Sequence, residues 1–585
     1  MRHTKLLLLS LVIILSGSLL AHYIHTDGGR VDIQDLRFTA ADGATMSALL
    51  YIPLDASRES PAPGVLAIHG YINSRETQSG FAIELARRGF VVLALDQRGH
   101  GYSAPPAFAE AFGALDGLNY LRSLAFVDKE RIGLEGHSMG GWASRVATQL
   151  APDSYRSIVM EGASAAAVPG LGDFSGSPEQ PRNLAIVFSL YDEFSRFMWE
   201  GAMPGELPDA PQLKQLFGTE ETIERGRIYG SVADGTARIL HQPATTHPGD
   251  HISPEAILAA VHWLQLTLEH DSQIADDSHI FQWKEVGTLI ALLGLILSIF
   301  PVLTSLSRLP FFAGLRESLP PNHGERGIGW WVSACLALLI PALSYYWLLN
   351  LGQSLIPASG LFPQGITNGI AFWALSNGLL SAILLASAYF AFGRKRSTGS
   401  DHFGFDAGIR NILLTAILAL ATVAIIYAIA ALAGWLLTVD FRFWVVALKL
   451  MSPTQLQIFL YYLPGFVLFF LVFSATFNGP LRRSSASGHD DNPGKAMAIN
   501  GFIACGGFIG LLLLEYTTLF STGELLFGEP LLTIVAIQFV PLLAIAACIS
   551  TFCFRLTGRS YLGAFVNALL VTWYIVAGQA THIAV

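Results

Sequence analysis

The sequence predicts a two-part protein: an α/β domain on a mostly parallel sheet, followed by an all-α polytopic bundle of transmembrane helices. Three observations carry this. Hydrophobic residues make up 52% of the 585 positions and charged residues only 14%, too apolar for one water-soluble protein, and the excess is concentrated beyond about residue 285. Between about residues 28 and 283, short apolar strand patterns alternate with helical ones, the arrangement of a parallel sheet. Within that part, an apolar strand rises into Gly136-His137-Ser138-Met139-Gly140, and a helical pattern (Trp142, Val146, Ala147, Leu150) follows at once.

Taken in order, Arg2 and Lys5 precede the apolar run Leu6–Leu20. This is the pattern of a signal peptide or an uncleaved signal anchor. The small-residue pattern before Ala21-His22-Tyr23 is poor, which favours an anchor over residues 1–27. Val31–Thr39 and Met46–Ile52 alternate as an antiparallel pair. Gly64–Ile68 is a continuous apolar run, as in a buried parallel strand, and ends at His69-Gly70-Tyr71. The helical pattern of Phe81, Ile83 and Leu85 leads to strand Phe90–Leu95 and then to Asp96-Gln97-Arg98-Gly99-His100-Gly101-Tyr102-Ser103. Helix Ala107–Ser123 comes before the strand that carries Ser138. Strand Ser157–Met160, a loop of small residues (Gly162–Arg182), strand Asn183–Ser189 and strand Ala237–Gln242 follow. Ser253 caps the closing helix with Pro254 at its first position. Ile257, Val261, Leu264 and Leu268 form its one apolar face.

The pentapeptide carries the chemistry. A serine in a sharp strand-to-helix turn holds its hydroxyl clear of the sheet, and the helix N-terminus offers N–H groups to a developing oxyanion. The flanking glycines let strand and helix pass closely. Strand-His-Gly-x, then strand-Asp-x-Arg-Gly-x-Gly-x-Ser, then Gly-His-Ser-Met-Gly together resemble the α/β-hydrolase fold, in particular the dienelactone-hydrolase-like and acyl-peptidase-like serine hydrolases. The resemblance covers about residues 31–270. It implies a triad in the order Ser, acid, His. Asp192 falls on the acid position, with Glu193 next to it. His247 falls on the base position, and His251 competes four residues on. The oxyanion hole would use the backbone N–H groups of Tyr71 and Met139. Such a site needs neither metal nor organic cofactor, and the four cysteines (Cys335, Cys505, Cys548, Cys553) offer no thiolate metal site or disulfide framework. Phe194, Phe197, Met198 and Trp199 lie at an insertion of about residues 194–236. They read either as a cap that binds a greasy acyl group or docks on the bilayer, or as the core of a helical insertion.

From residue 284 to 585 the spans near Val286–Leu306, Trp330–Leu349, Asn368–Phe392, Ile412–Leu437, Leu456–Phe477, Ala498–Leu519, Leu531–Phe554 and Tyr561–Ala580 are long enough to cross a bilayer. With a cytoplasmic N-terminus, the cytoplasmic loops hold Arg308, Arg316, Arg326, Arg394, Lys395, Arg396, Arg410, Arg482, Arg483, Lys495, Arg555 and Arg559. The opposite loops hold only Arg442 and Lys449. That asymmetry is the positive-inside signal, and it puts the α/β domain and the C-terminus outside the cytoplasm. Gly506 and Gly510 read as a small-residue pair for close helix packing, Glu515 as an interfacial carboxylate, and Asn478–Lys495 as a flexible loop. The net charge of −9 and the lack of a basic stripe exclude a nucleic-acid partner from the expectations.

The expected function is therefore cleavage of an ester, thioester or amide through an acyl-enzyme on Ser138. The expected partners are the membrane lipid bilayer and an acyl ester or amide substrate, lipid-like if tethering at the membrane sets its class. Two rivals stand beside it. One is a transporter, flippase or sensor bundle whose hydrolase-like domain binds or processes its cargo. The other is an inactive domain kept as a binding module.

Overall fold

A computed structural model describes residues 2–165, 176–322, 327–390, 403–483 and 491–584. Arg326 and Arg394–Arg396, and parts of the loops Gly162–Arg182 and Asn478–Lys495, lie outside the described residues. Eight strands form one sheet: β1 (Val31–Thr39), β2 (Thr45–Pro53), β3 (Ala62–Ile68), β4 (Val91–Asp96), β5 (Val127–His137), β6 (Ser157–Glu161), β7 (Leu184–Val187) and β8 (Arg238–His241). Their order is β1-β2-β4-β3-β5-β6-β7-β8, antiparallel where β1 meets β2 and β2 meets β4, and parallel at every later pairing.

The parallel strands are buried on both faces, which is why they read as unbroken apolar runs. Along β3, Leu66 and Ile68 face one core and Val65 and Ala67 the other, the period-two alternation of a strand. The first core is closed by α3 (Ala114–Ser123) and α4 (Met139–Leu150). The second is closed by α2 (Ser79–Ala86) and α7 (Pro254–Thr267). Ser253 caps α7 by accepting the Ala256 N–H. The insertion after β7 holds only short helices, among them α5 (Ser195–Met198) and α6 (Pro211–Phe217).

The remaining helices are α1 (Arg2–His25), α8 (Phe281–Leu306), α9 (Ile328–Leu343), α10 (Tyr345–Leu355), α11 (Gly365–Ala388), α12 (Ile409–Leu437), α13 (Pro453–Asn478), α14 (Pro493–Thr522), α15 (Pro530–Thr557) and α16 (Tyr561–Gly578). Among the described residues, eight helices are long and apolar enough to cross a membrane, or nine if the bent α9–α10 pair counts as one. The expected single span at Trp330–Leu349 is thus two helices meeting at 51°. Pro341 accounts for the weakness of the junction, because it removes a helical N–H just before the break at Ser344. A short hairpin, β9 (Phe441–Phe443) with β10 (Val446–Leu448), links α12 to α13.

Helix α1 packs on α8 through small residues. A Cβ on Gly287 would stand 2.7 Å from Ala21 N, and one on Gly17 2.5 Å from Ala291 N, so the two backbones are in direct contact. Two expectations need correction. Close approach of α14 to α9 occurs at Gly507, where a Cβ would stand 2.0 Å from Leu338 O, and at Gly506, where it would stand 3.0 Å from Leu338 Cδ1, whereas Gly510 faces open space. Glu515 is fully buried and accepts the Tyr346 hydroxyl at 2.7 Å, so it packs among helices and does not reach solvent.

Helix α3 starts at Ala114, not Ala107, and the cause is remote in sequence. Ala107 N–H donates to Thr581 O and Thr581 N–H to Gly99 O, both at 2.8 Å, so the segment after α16 pairs with this stretch and pulls it out of helix.

Gly287→Leu is expected to part α1 from α8 and to lower the thermal unfolding midpoint of the detergent-solubilised protein, the cost of overpacking being about 1–3 kcal/mol. An unchanged midpoint would mean that α1 does not rest on α8.

Candidate active site

Ser138 stands between β5 and α4 with φ 56° and ψ −122°. A non-glycine residue takes that conformation only where its surroundings impose it. The close crossing of strand and helix does so here. A Cβ on Gly136 would stand 2.2 Å from Gly140 O, and one on Gly140 2.0 Å from Ile68 O. Ser138 N–H donates to Glu161 O at 2.7 Å, which ties the turn to the neighbouring strand.

The loop after β7 brings in Asp192, and the loop after β8 brings in His247. His247 Nδ1 donates to Asp192 Oδ2 at 2.8 Å, and Phe194 N–H donates to Asp192 Oδ1 at 2.7 Å. Burial and then the nearby Asp250 push the Asp192 carboxyl up from its usual range, and these two donors hold it as the acceptor. The tautomer that results leaves His247 Nε2 free to take a proton. Burial also lowers His247 to about 4, so the imidazole is neutral at rest. Glu193 takes neither role. Its Oε2 accepts the His247 main-chain N–H at 2.8 Å, and its Oε1 accepts the Tyr516 hydroxyl of α14 at 2.9 Å. Burial, then the charge of Asp192, pushes Glu193 up to about 8.

His251 lies beside the site without a carboxylate. Its ring rests on His137 with centroids 4.1 Å apart, and neither of its nitrogens has a hydrogen-bond partner among the described residues. His137 Nε2 in turn donates to His247 O at 2.9 Å. Segment His69-Gly70-Tyr71 lies against Ser138, for a Cβ on Gly70 would stand 3.1 Å from Ser138 Cβ. The Tyr71 hydroxyl is turned to His582 Nε2 at 2.8 Å. That leaves only the Tyr71 backbone N–H for the site.

One cavity of about 350 Å³ is lined by Ser138, His247, His251, Tyr71 and Met139 and continues among the helices. Trp373 of α11, Phe469 of α13, Val535 and Phe539 of α15, and Tyr574 of α16 line its far part. Phe194, Phe197 and Met198 line it too, but Trp199 does not. Trp199 is buried against Phe188, ring centroids 6.0 Å apart, as part of the sheet domain's core. A second cavity of about 270 Å³ between α8, α12, α15 and α16 shares Leu542, Val571 and Tyr574 with the first.

Several of these residues escape sequence reading. Tyr516 holds Glu193, and Trp444 of the β9–β10 hairpin donates its ring N–H to Pro248 O at 2.6 Å, next to His247. No motif marks either. The only available signal is that Arg442 in β9 and Lys449 just after β10 break the charge asymmetry of the loops.

Fold and geometry together define an α/β-hydrolase-fold domain joined to a helical region. Residues 63–198 match the family model described as alpha/beta hydrolase fold. The chain is similar to dipeptidyl peptidase 8 of Mus musculus and of Homo sapiens, 32% identical over 136 residues, covering 20% of this chain and 15% of each relative. It is also similar to the serine hydrolase BPHL of Homo sapiens, 30% identical over 145 residues, covering 23% of this chain and 49% of that one. The chain thus spans less than half the length of each of these relatives. Among solved structures, an esterase of Pyrococcus furiosus aligns at 18% identity and a TM-score of 0.30, over 41% of this chain and 95% of that one.

Asp192→Asn is expected to lower kcat about ten-thousand-fold while leaving the protein folded. A histidine that acts as general base works in its neutral form, and burial puts the His247 pKa below the ordinary value of 6.5. Activity should therefore persist as pH falls below 6.5 and be lost only through about 4. A pH profile of kcat/KM with its acid limb at the ordinary histidine value would contradict a desolvated base.

Proposed function

We propose that this protein is a membrane-embedded serine hydrolase that cleaves the acyl ester, thioester or amide of a long-chain substrate drawn from the bilayer. One observation carries the reading: the cavity at Ser138 continues into an apolar chamber among the helices. Its volume of about 350 Å³ falls within the range of small-molecule sites, about 300–1,000 Å³.

In this reading Ser138 Oγ attacks the acyl carbonyl while His247 Nε2 takes its proton. The oxyanion is held by the N–H groups of Tyr71 and Met139, each worth about a hundred- to a thousand-fold in rate. His247⁺, steadied by Asp192, protonates the leaving group. Water then attacks the acyl-enzyme by the same proton route in reverse. The acyl chain lies along Phe469, Val535 and Phe539 and reaches the site by way of the second apolar cavity. Loop charges support an extracytoplasmic α/β domain. A transporter, flippase or sensor bundle whose hydrolase-like domain binds or processes its cargo is the second reading; the cavity shared by Ser138 and the helices fits it as well.

Ser138→Ala should abolish hydrolysis and fluorophosphonate labelling of the solubilised protein. Val535→Trp should lower the ratio of kcat/KM for a dodecanoyl over a butanoyl ester by about tenfold. Labelling that survives Ser138→Ala would sink the nucleophile assignment. A ratio untouched by Val535→Trp, in protein that still labels, would remove the chamber from the acyl path.

A further inference from the structure

The charges along the cavity are one-sided. Two of its lining residues carry formal charge, Arg442 and Lys449, and both are cations; no aspartate or glutamate lines it among the described residues. They differ in how they are matched. Arg442 Nε donates to Asp440 Oδ2 at 2.7 Å, and its Nη2 lies 4.0 Å from Glu76 Oε2. Asp440 is also paired with Lys284 Nζ at 2.9 Å. These groups neutralise one another across the seam between hydrolase domain and helices.

Lys449 is left out of this arrangement. No carboxylate lies within ion-pair reach of its amine among the described residues. Its main chain is fixed, because the Trp573 ring N–H donates to Lys449 O at 2.6 Å. Burial, then the adjacent Arg442 guanidinium, lowers its ammonium to about 8 against the opposing charges of Glu76, Asp96 and Asp440, so it is still largely charged at neutral pH. Its charge is felt at His69 and His100, which puts it on the Tyr71 side of the nucleophile. Glu76, Asp96 and Asp440 act on this ammonium only from beyond ion-pair distance, so no carboxylate occupies its contact positions and an anion in the cavity would pair with it directly. Within this cavity the anion must arrive with the ligand.

We infer that the substrate is an acyl ester that carries an anionic group, a phosphate or carboxylate, received by Lys449 while the acyl chain fills the apolar chamber. This rests on the reading of Ser138 as nucleophile. A lysine suits the task as a point charge that tolerates several anion geometries. The combination of apolar chamber, activated serine and unmatched ammonium corresponds to an anionic lipid with one acyl chain at the reacting centre.

The test uses the full-length protein in detergent micelles, with the oleoyl ester of glycerol 3-phosphate and the oleoyl ester of glycerol as paired substrates. The wild type should favour the phosphate ester in kcat/KM by about tenfold or more, the scale of a hydrogen bond to a charged group. Lys449→Met should collapse that ratio and Lys449→Arg should retain most of it, with fluorophosphonate labelling reporting that each site is assembled. A wild type without preference would overturn the inference whatever the variants do. So would Lys449→Met protein that labels normally and keeps the ratio. Inorganic phosphate that competes as well as the phosphate ester would make the free anion the ligand, and that too overturns it. Equal hydrolysis of both esters that still requires Ser138 refutes only the anionic group, whereas hydrolysis that survives Ser138→Ala refutes the underlying mechanism.

Discussion

The seam between the hydrolase domain and the helices is held by buried charge, and the shape of the site depends on it. Lys284, Asp440, Arg442 and Glu76 come from α8, the turn after α12, β9 and the loop after β3. Taking such groups out of water costs several kcal/mol each, and only close pairing recovers it. The pairing is directional, so the hydrolase domain has one way to sit on the helices. Hydrogen bonds reinforce that orientation where they matter for chemistry: Tyr516 to Glu193, Trp444 to Pro248 and His582 to Tyr71. Each ends on a residue beside Asp192, His247 or Ser138, or on one of the segments that flank them. The cavity is continuous across the seam because this docking leaves no freedom for it to shift.

Much of the hydrolase domain was legible because its signals are local. The apolar runs of β3, β4 and β5 are what a strand buried on both faces requires, and the glycines around Ser138 are forced by a crossing at which a Cβ would collide with backbone. The family resemblance points to Asp192 and His247, and their side chains lie 2.8 Å apart. Less legible was anything decided by contact between distant parts of the chain. The start of α3 was misread because Thr581 captures Ala107. The span near Trp330–Leu349 was read as continuous because hydropathy does not register the break after Pro341. The sequence leaves Trp199 open between pocket and core, because composition cannot tell an aromatic that lines a cavity from one that fills a core, and the structure puts it in the core.

The helices also change how the hydrolase domain should be understood. An α/β-hydrolase fold carries its nucleophile at the carboxyl ends of its strands and leaves the walls of the pocket to whatever covers that edge. Here the insertion after β7 supplies Phe194, Phe197 and Met198, while the helical region supplies most of the remaining apolar wall. The part of the chain that in other folds of this kind is a small cap is here shared with helices long enough to cross a membrane. Under the proposed mechanism, the solvent for the acyl chain changes little between bilayer and binding site, so the hydrophobic effect contributes little to affinity and the polar end of the substrate must supply selectivity.

The segment Gln579–His582 has a consequence for how the site comes into being. It pairs with Gly99 and Ala107 and supports Tyr71, yet it follows α16. Translation makes the sheet, the turn at Ser138 and the loops that carry Asp192 and His247 long before this segment exists. A nascent chain can therefore hold a folded sheet while the wall behind Tyr71 is still missing. Completion of that wall is coupled to insertion of the helices that precede it, which makes the finished site a record of completed assembly.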